Sequence, residues 1–182
     1  MKAAVPLVEG FEEIEAVTII DVLRRAAIET VTLYTDSESV RGSHDITVHA
    51  DTPFNEVSAA DFSAVILPGG MPGSTTLRDK KEIISFIQEI YSGGGYAAAI
   101  CAAPIALAKA GILQGKKFTC APGFESQITG AIHQPDPVVA DERIITARGA
   151  SCSIPFALKL VELLKDPETS ENLKKSMQTY WM

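Results

Sequence analysis

Hydrophobic and polar positions along the chain switch repeatedly between a strand-like and a helix-like spacing. Residues 2–8, "KAAVPLV", form an apolar run of strand length. Residues 12–26, "EEIEAVTIIDVLRRA", place Ile14 and Val17, then Ile20 or Asp21 and Leu23 or Arg24, at helical intervals. Their acids come early and their arginines late, as a helix dipole prefers. "TVTLYT" reads as the next strand, and "RGSHDITVHADTPF" alternates as a hairpin or edge strand does before a turn at Thr52-Pro53. "FSAVILPGGMPG" is a buried strand entering a Gly/Pro loop. Residues 79–94 then form an amphipathic helix with Ile83, Ile84, Ile87 and Ile90 on one side, ended at Gly93. Residues 96–100, "YAAAI", are strand-like, and residues 104–110 are helix-like up to Gly111. "KKFTC", "DPVVADERIITARG" and "SCSIPFALKLVELLKD" supply further strands and a helix, and residues 167–182 read as a terminal helix.

Strands separated by helical segments imply βαβ units, hence an α/β fold with a mostly parallel sheet and helices on both faces. The absence of repeats, low-complexity tracts and long linkers leads us to expect one domain over residues 1–182. Ligands of such folds lie in the crevice outside the carboxyl ends of the strands. Three features fall there: residues 9–15 after the first strand, Gly69-Gly70 after "AVIL", and Cys101 after "YAAAI".

Composition narrows the function classes. The 182 residues are 46% hydrophobic and 21% charged, as in ordinary globular proteins. A formal net charge of −7 argues against a general nucleic-acid binder, whose affinity comes from Lys and Arg. No run approaches the ~20 apolar residues of a membrane span. The start of the chain has acids where a secretory leader would be apolar, and its three cysteines are widely spaced. We therefore expect a cytoplasmic protein with reduced thiols.

Cys101 joins a strand to a helix, where the dipole and free amides favour a thiolate. The flanking alanines suit a tight elbow, and they equally suit a small buried hydrophobic thiol. Glu15 lies near the boundary of a face formed by Ile14 and Val17. A carboxyl there can have a raised pKa and donate to a thiolate, or can simply stabilise a first helical turn. Gly69 and Gly70 can turn amides toward an oxyanion, or can satisfy a turn needing positive φ. "LPGGMPG" matches neither a dinucleotide fingerprint nor a phosphate loop, which disfavours a nucleotide binder. None of His44, His49 and His133 belongs to a catalytic motif. Cys120 and Cys152 lack paired metal-ligand spacing, so neither metal nor cofactor is expected.

Together "VPLVEGFEEIEAV", "VILPGG", "AAICAAPIALAKAGIL" and "ITARGASCSIPFAL" resemble the ThiJ/PfpI superfamily over essentially the whole chain, most closely the branch of the Parkinsonism-associated protein deglycase and its bacterial relatives. The resemblance implies a flavodoxin-like three-layer sandwich and a homodimer. It implies that Cys101 is an oxidisable nucleophile on a strained elbow and that Glu15 hydrogen-bonds its thiol. Backbone amides would come from Gly70 and Ala102, with Gly69 accessory. Two departures stand out. Ala102 replaces the histidine that protease-like members carry after the cysteine, so a peptidase is not expected. Ala121, before Pro122, stands where several relatives have a histidine, and Cys120 beside it raises the possibility of a resolving thiol. His44 stands where some relatives carry an arginine, and no role is assigned to it. The resemblance implies a glyoxalase- or deglycase-like enzyme for small α-oxoaldehydes such as methylglyoxal. The rival is an oxidative-stress sensor or redox-regulated holdase that works through oxidation of Cys101.

Overall fold

Residues 64–67 and 144–147 are buried at every position, as strands covered on both faces must be. The computed structural model, which describes residues 1–179, builds a central sheet around them. In chain order the elements are β1 (Lys2–Leu7), α1 (Glu13–Arg25), β2 (Glu29–Tyr34), β3 (Ser39–Arg41), β4 (Thr47–His49), β5 (Thr52–Pro53) and β6 (Ala64–Leu67). Then come α2 (Gly73–Asp79), α3 (Lys81–Ser92), β7 (Tyr96–Ile100), α4 (Pro104–Lys109), β8 (Lys117–Phe118) and β9 (Ile132–His133). The chain continues with β10 (Val138–Asp141), β11 (Ile144–Ala147), α5 (Ser153–Leu164) and α6 (Pro167–Ser176). The last three residues of the expected terminal helix lie outside the described residues.

The sheet order is β10-β11-β7-β6-β1-β2-β5. Its parallel strands β2, β1, β6, β7 and β11 follow the 2-1-3-4-5 order of flavodoxin-like folds. Short β5 and antiparallel β10 close the two edges. The chain leaves β1 toward one edge and returns at β6 toward the other, so the topological switch lies between them. Alternate residues of each strand face opposite sides. Val5, Ile66, Ala98 and Ile145 meet α1 and α5. Val65, Leu67, Ala97 and Ala99 meet α3 and α4. The expected three-layer α/β/α sandwich follows.

Several expectations change. Ile14 and Val17 do not face the sheet: they are 59% and 48% exposed, whereas Glu15, Ala16, Ile19, Val22 and Leu23 are buried. The helix is rotated because the Glu15 carboxyl is tied to the β6 loop and Glu13 to the β3–β4 hairpin. On α3, Phe86 is buried with Ile83, Ile87 and Ile90, and Ile84 is only half-buried. Thr52-Pro53 is an edge strand paired with Leu33 and Tyr34, a place where proline's missing N–H is tolerated. Residues 74–78, to which the sequence pattern assigns no element, form α2 with Gly73 and Asp79. The strand expected at "KKFTC" is only two residues long.

Truncation of Ile87 to alanine, wholly within the core, is expected to cost about 2–5 kcal/mol. Ile84→Ala should cost less than half as much as Ile87→Ala, by denaturant unfolding of both variants.

Candidate active site

The ends of β1, β6 and β7 deliver three segments to one place. Cys101 is the first residue beyond β7 and has φ 62, the left-handed region that a side chain with a Cβ adopts at a cost of about 1–3 kcal/mol. Three backbone hydrogen bonds hold it there. Its N–H donates to Ala147 O at 2.9 Å, its carbonyl accepts from Ala121 N–H at 2.7 Å, and Ala103 N–H donates to Ile100 O at 3.0 Å. The last strand, the elbow and the segment after α4 thus fix one strained residue.

Gly69 gives the elbow room. A Cβ there would stand 2.6 Å from Cys101 Cβ and 2.7 Å from Glu15 Oε2, closer than atoms can pack. Gly70, at φ 95, sits in the conformation that glycine alone adopts without strain. The N–H groups of Gly70 and Ala102 both hydrogen-bond toward the Cys101 sulfur. The residues picked from sequence as an amide pair therefore converge on the thiol, and Gly69 serves a different partner. Its N–H donates to Glu15 Oε2 at 2.7 Å.

Glu15 reaches this point from the first turn of α1 and is fully buried. Its Oε1 has no hydrogen-bond partner among the described residues. The Cys101 thiol is the neighbour that hydrogen-bonds to this carboxyl and feels its charge. Burial raises Glu15 to about 7, with the nearby Glu12 charge adding to the rise while Gly69 N–H and Cys101 oppose it. Glu12 caps the helix, accepting from Glu15 N–H at 2.7 Å. The protonated carboxyl is thus half-populated near neutrality.

The thiol itself is not a ready thiolate. Burial, then the Glu15 charge and hydrogen bond, push Cys101 up to about 12, and the Ala102 and Gly70 amides only moderate this. The expected activation by a helix N-terminus is outweighed, because α4 has only six residues and the sulfur is largely withdrawn from water. The ionisable side chain beside the thiol is Glu15.

Among the described residues, those that shift the Cys101 thiol are Glu15, Ala102 and Gly70, and none is a histidine. His44 Nδ1 lies 2.9 Å from Glu13 Oε2, and the His44 N–H donates to Glu13 Oε1 at 2.6 Å. Burial opposes ionisation of Glu13, but these bonds hold its carboxyl at about 2. His49 lies against Ser39 on the hairpin. His133 gathers with Cys120 and Glu125. Sequence reasoning passed over Arg148, which follows the carboxyl end of β11 and lines an open cavity of about 430 Å³ with Pro122, Pro137, Ser151 and Cys152. That cavity borders the elbow through the segments after Ala121 and Ala147, the two residues bonded to Cys101. A cation just beyond a central strand was the available signal.

A family model described as DJ-1/PfpI family matches residues 1–163. The protein dj-1beta of Drosophila melanogaster is 38% identical over 178 residues, covering 96% of this chain and 95% of its own. A Caenorhabditis elegans protein named glutathione-independent glyoxalase DJR-1.2 is 32% identical over 171 residues, covering 93% and 91%. The solved structure of oxidised Toxoplasma gondii DJ-1 superposes with a TM-score of 0.93 at 36% identity and covers 97% of each chain.

The raised carboxyl of Glu15 gives a signed stability prediction. A group whose pKa is higher folded than unfolded stabilises the protein fully below the unfolded pKa, near 4.5, and loses that contribution as pH rises through about 7. Wild-type unfolding free energy should therefore fall by about 3 kcal/mol between pH 4.5 and 8 relative to Glu15→Gln, whose amide does not titrate. Parallel denaturant curves across this range measure the difference, and equal slopes for the two proteins would refute the assignment.

Proposed function

The chain belongs to the DJ-1/PfpI family, and from that premise we propose that it is a cysteine-dependent enzyme acting on α-oxoaldehydes such as methylglyoxal, or on their early adducts with amines. The observation that carries this reading is a buried carboxyl with a pKa of about 7 against a thiol flanked by two inward amides. A general base works best when its pKa lies near the working pH. Ionised Glu15 accepts the Cys101 proton as the sulfur bonds to the aldehyde carbon. The Gly70 and Ala102 amides stabilise the oxyanion that forms, which then takes up a proton to give a hemithioacetal. Glu15 next removes the hydrogen from that carbon, and an enediolate forms. Protonation of the neighbouring carbon leaves a thioester, and water cleaves it to lactate and free thiol. The sum is methylglyoxal plus water to lactate, without an added thiol or redox partner. When the aldehyde is held as a hemiaminal, its C–N bond breaks first: the hydroxyl proton passes to the departing amine, the aldehyde carbonyl is restored, and sulfur then adds to it as above. The glyoxalase name of the nematode relative agrees with this chemistry.

Oxidation of Cys101 is a second reading, supported by the same two amides, which can receive oxygens added to the sulfur. The thiol held near 12 counts against fast reaction with peroxide. We also propose a homodimer. Ile14 and Val17 form an exposed apolar strip on α1, and Ile46, 57% exposed, lies in the hairpin loop whose amides hold Glu13. A second copy of this chain would cover the strip, and Val17→Asp should shift the protein to monomer by sedimentation velocity.

In a methylglyoxal-to-lactate assay Cys101→Ser should abolish turnover, and Glu15→Gln should lower kcat by about 10²–10⁴-fold. Wild-type kcat/KM should rise with pH through about 7 as Glu15 ionises. Full activity of Cys101→Ser would end the proposal.

A further inference from the structure

Three side chains distant in sequence converge beside the elbow without taking part in its chemistry. The sulfur of Cys120, a carboxylate oxygen of Glu125 and a ring nitrogen of His133 all lie within 4.8 Å of one another. The backbone explains the meeting. β8 and β9 pair in parallel with Phe118 opposite His133, so both side chains stand on one face, their rings 5.4 Å apart edge to face. Cys120, two residues beyond Phe118, returns to the same face by the two-residue period of extended chain. The short turn Glu125–Gln127 then brings Glu125 over it, and the Gly123 N–H donates to Glu125 Oε2 at 2.7 Å, which fixes the carboxylate. Cys120 forms a buried floor, Glu125 is half-buried, and His133 makes an exposed rim. An ion can therefore enter from solvent without opening the core.

We propose that Cys120, Glu125 and His133 form a binding site for a zinc-class divalent cation. One thiolate, one imidazole and one carboxylate match the borderline softness of Zn²⁺, whereas Mg²⁺ and Ca²⁺ require oxygen ligands throughout. Tetrahedral coordination places S, N and O ligand atoms roughly 3.3–3.8 Å apart. The exposed imidazole and the turn-borne carboxylate need move only a short way to reach that spacing. Binding replaces the Cys120 thiol proton, which leaves to solvent, and the anionic thiolate and carboxylate then balance the two charges of the ion. Three protein ligands leave a fourth position open to water or an external ligand.

Among the described residues a second cluster of ligating types, Glu12, Glu13 and His44, lacks this freedom. Glu13 is engaged by the His44 N–H, the Ile46 N–H, the Ser43 hydroxyl and the His44 ring, and Glu12 caps α1. By contrast, the Cys120–Glu125–His133 face has one carboxylate oxygen anchored by a single amide, and one ligand atom of each residue within 4.8 Å of the others. The site stands independently of the Cys101 reaction, although the Ala121 N–H bonded to Cys101 O makes it a near neighbour of the elbow.

The test is titration of the reduced full chain with Zn²⁺ by calorimetry and with Co²⁺ by optical spectroscopy. One equivalent of Co²⁺ should give a thiolate-to-metal charge-transfer band that Cys101→Ser retains and Cys120→Ser loses. His133→Gln and Glu125→Gln change side chains with surface access, so the fold should survive, and each should weaken Zn²⁺ binding by about 10–100-fold or more. The proposal is overturned if the band survives in Cys120→Ser or disappears in Cys101→Ser. It is also overturned if His133→Gln binds Zn²⁺ as tightly as wild type, or if the wild type takes up no ion.

Discussion

A carboxyl group sealed from water against a thiol is the constraint around which this protein is arranged. Glu15 is buried with one oxygen accepting the Gly69 amide and its carboxyl close enough to Cys101 for each group to shift the other. That pairing requires a glycine at position 69, since any Cβ would occupy the space where thiol and carboxyl meet. It also requires α1 to turn its acidic edge inward, which is why Ile14 and Val17 point to solvent while Ala16 and Ile19 pack on the core. The strain at Cys101 belongs to the same arrangement. An ordinary extended or helical φ would carry the sulfur away from the carboxyl, and the Ala147 and Ala121 hydrogen bonds prevent it.

Electrostatically the two groups divide the labour in an uncommon way. The thiol at rest keeps its proton, and the carboxyl titrates near neutrality. In the proposed reaction a proton moves between them, from Cys101 to ionised Glu15. Ala121 is consistent with this division. Here a small side chain carries only the backbone amide that fixes the elbow.

Much of the fold was readable from residue patterning. Fully apolar four- and five-residue runs such as "AVIL" and "YAAAI" announce central parallel strands, and the residues at their carboxyl ends, Gly69, Gly70 and Cys101, meet with Glu15 in the structure. The orientation of α1 was not readable, because Ile14 and Val17 present a helical apolar spacing as regular as the true buried set. Only the tertiary bonds of Glu13 and Glu15 decide between the two faces. The state of the thiol is not legible for a related reason. Position at a helix start is visible in sequence, but the depth of burial that outweighs it is not. The meeting of Cys120, Glu125 and His133 escaped a search for paired ligand spacing because it arises across two paired strands and a turn.

The central claim is that Glu15 holds its proton near neutrality because it is buried beside Cys101. The most direct measurement is a carboxyl ¹³C NMR titration of glutamate-labelled protein, with Glu15 identified by its absence in Glu15→Gln. The account predicts a midpoint near 7, moving upward in Cys101→Ala, where the hydrogen bond that favours the ionised carboxyl is gone. A midpoint near 4.5 that is indifferent to Cys101 would contradict it.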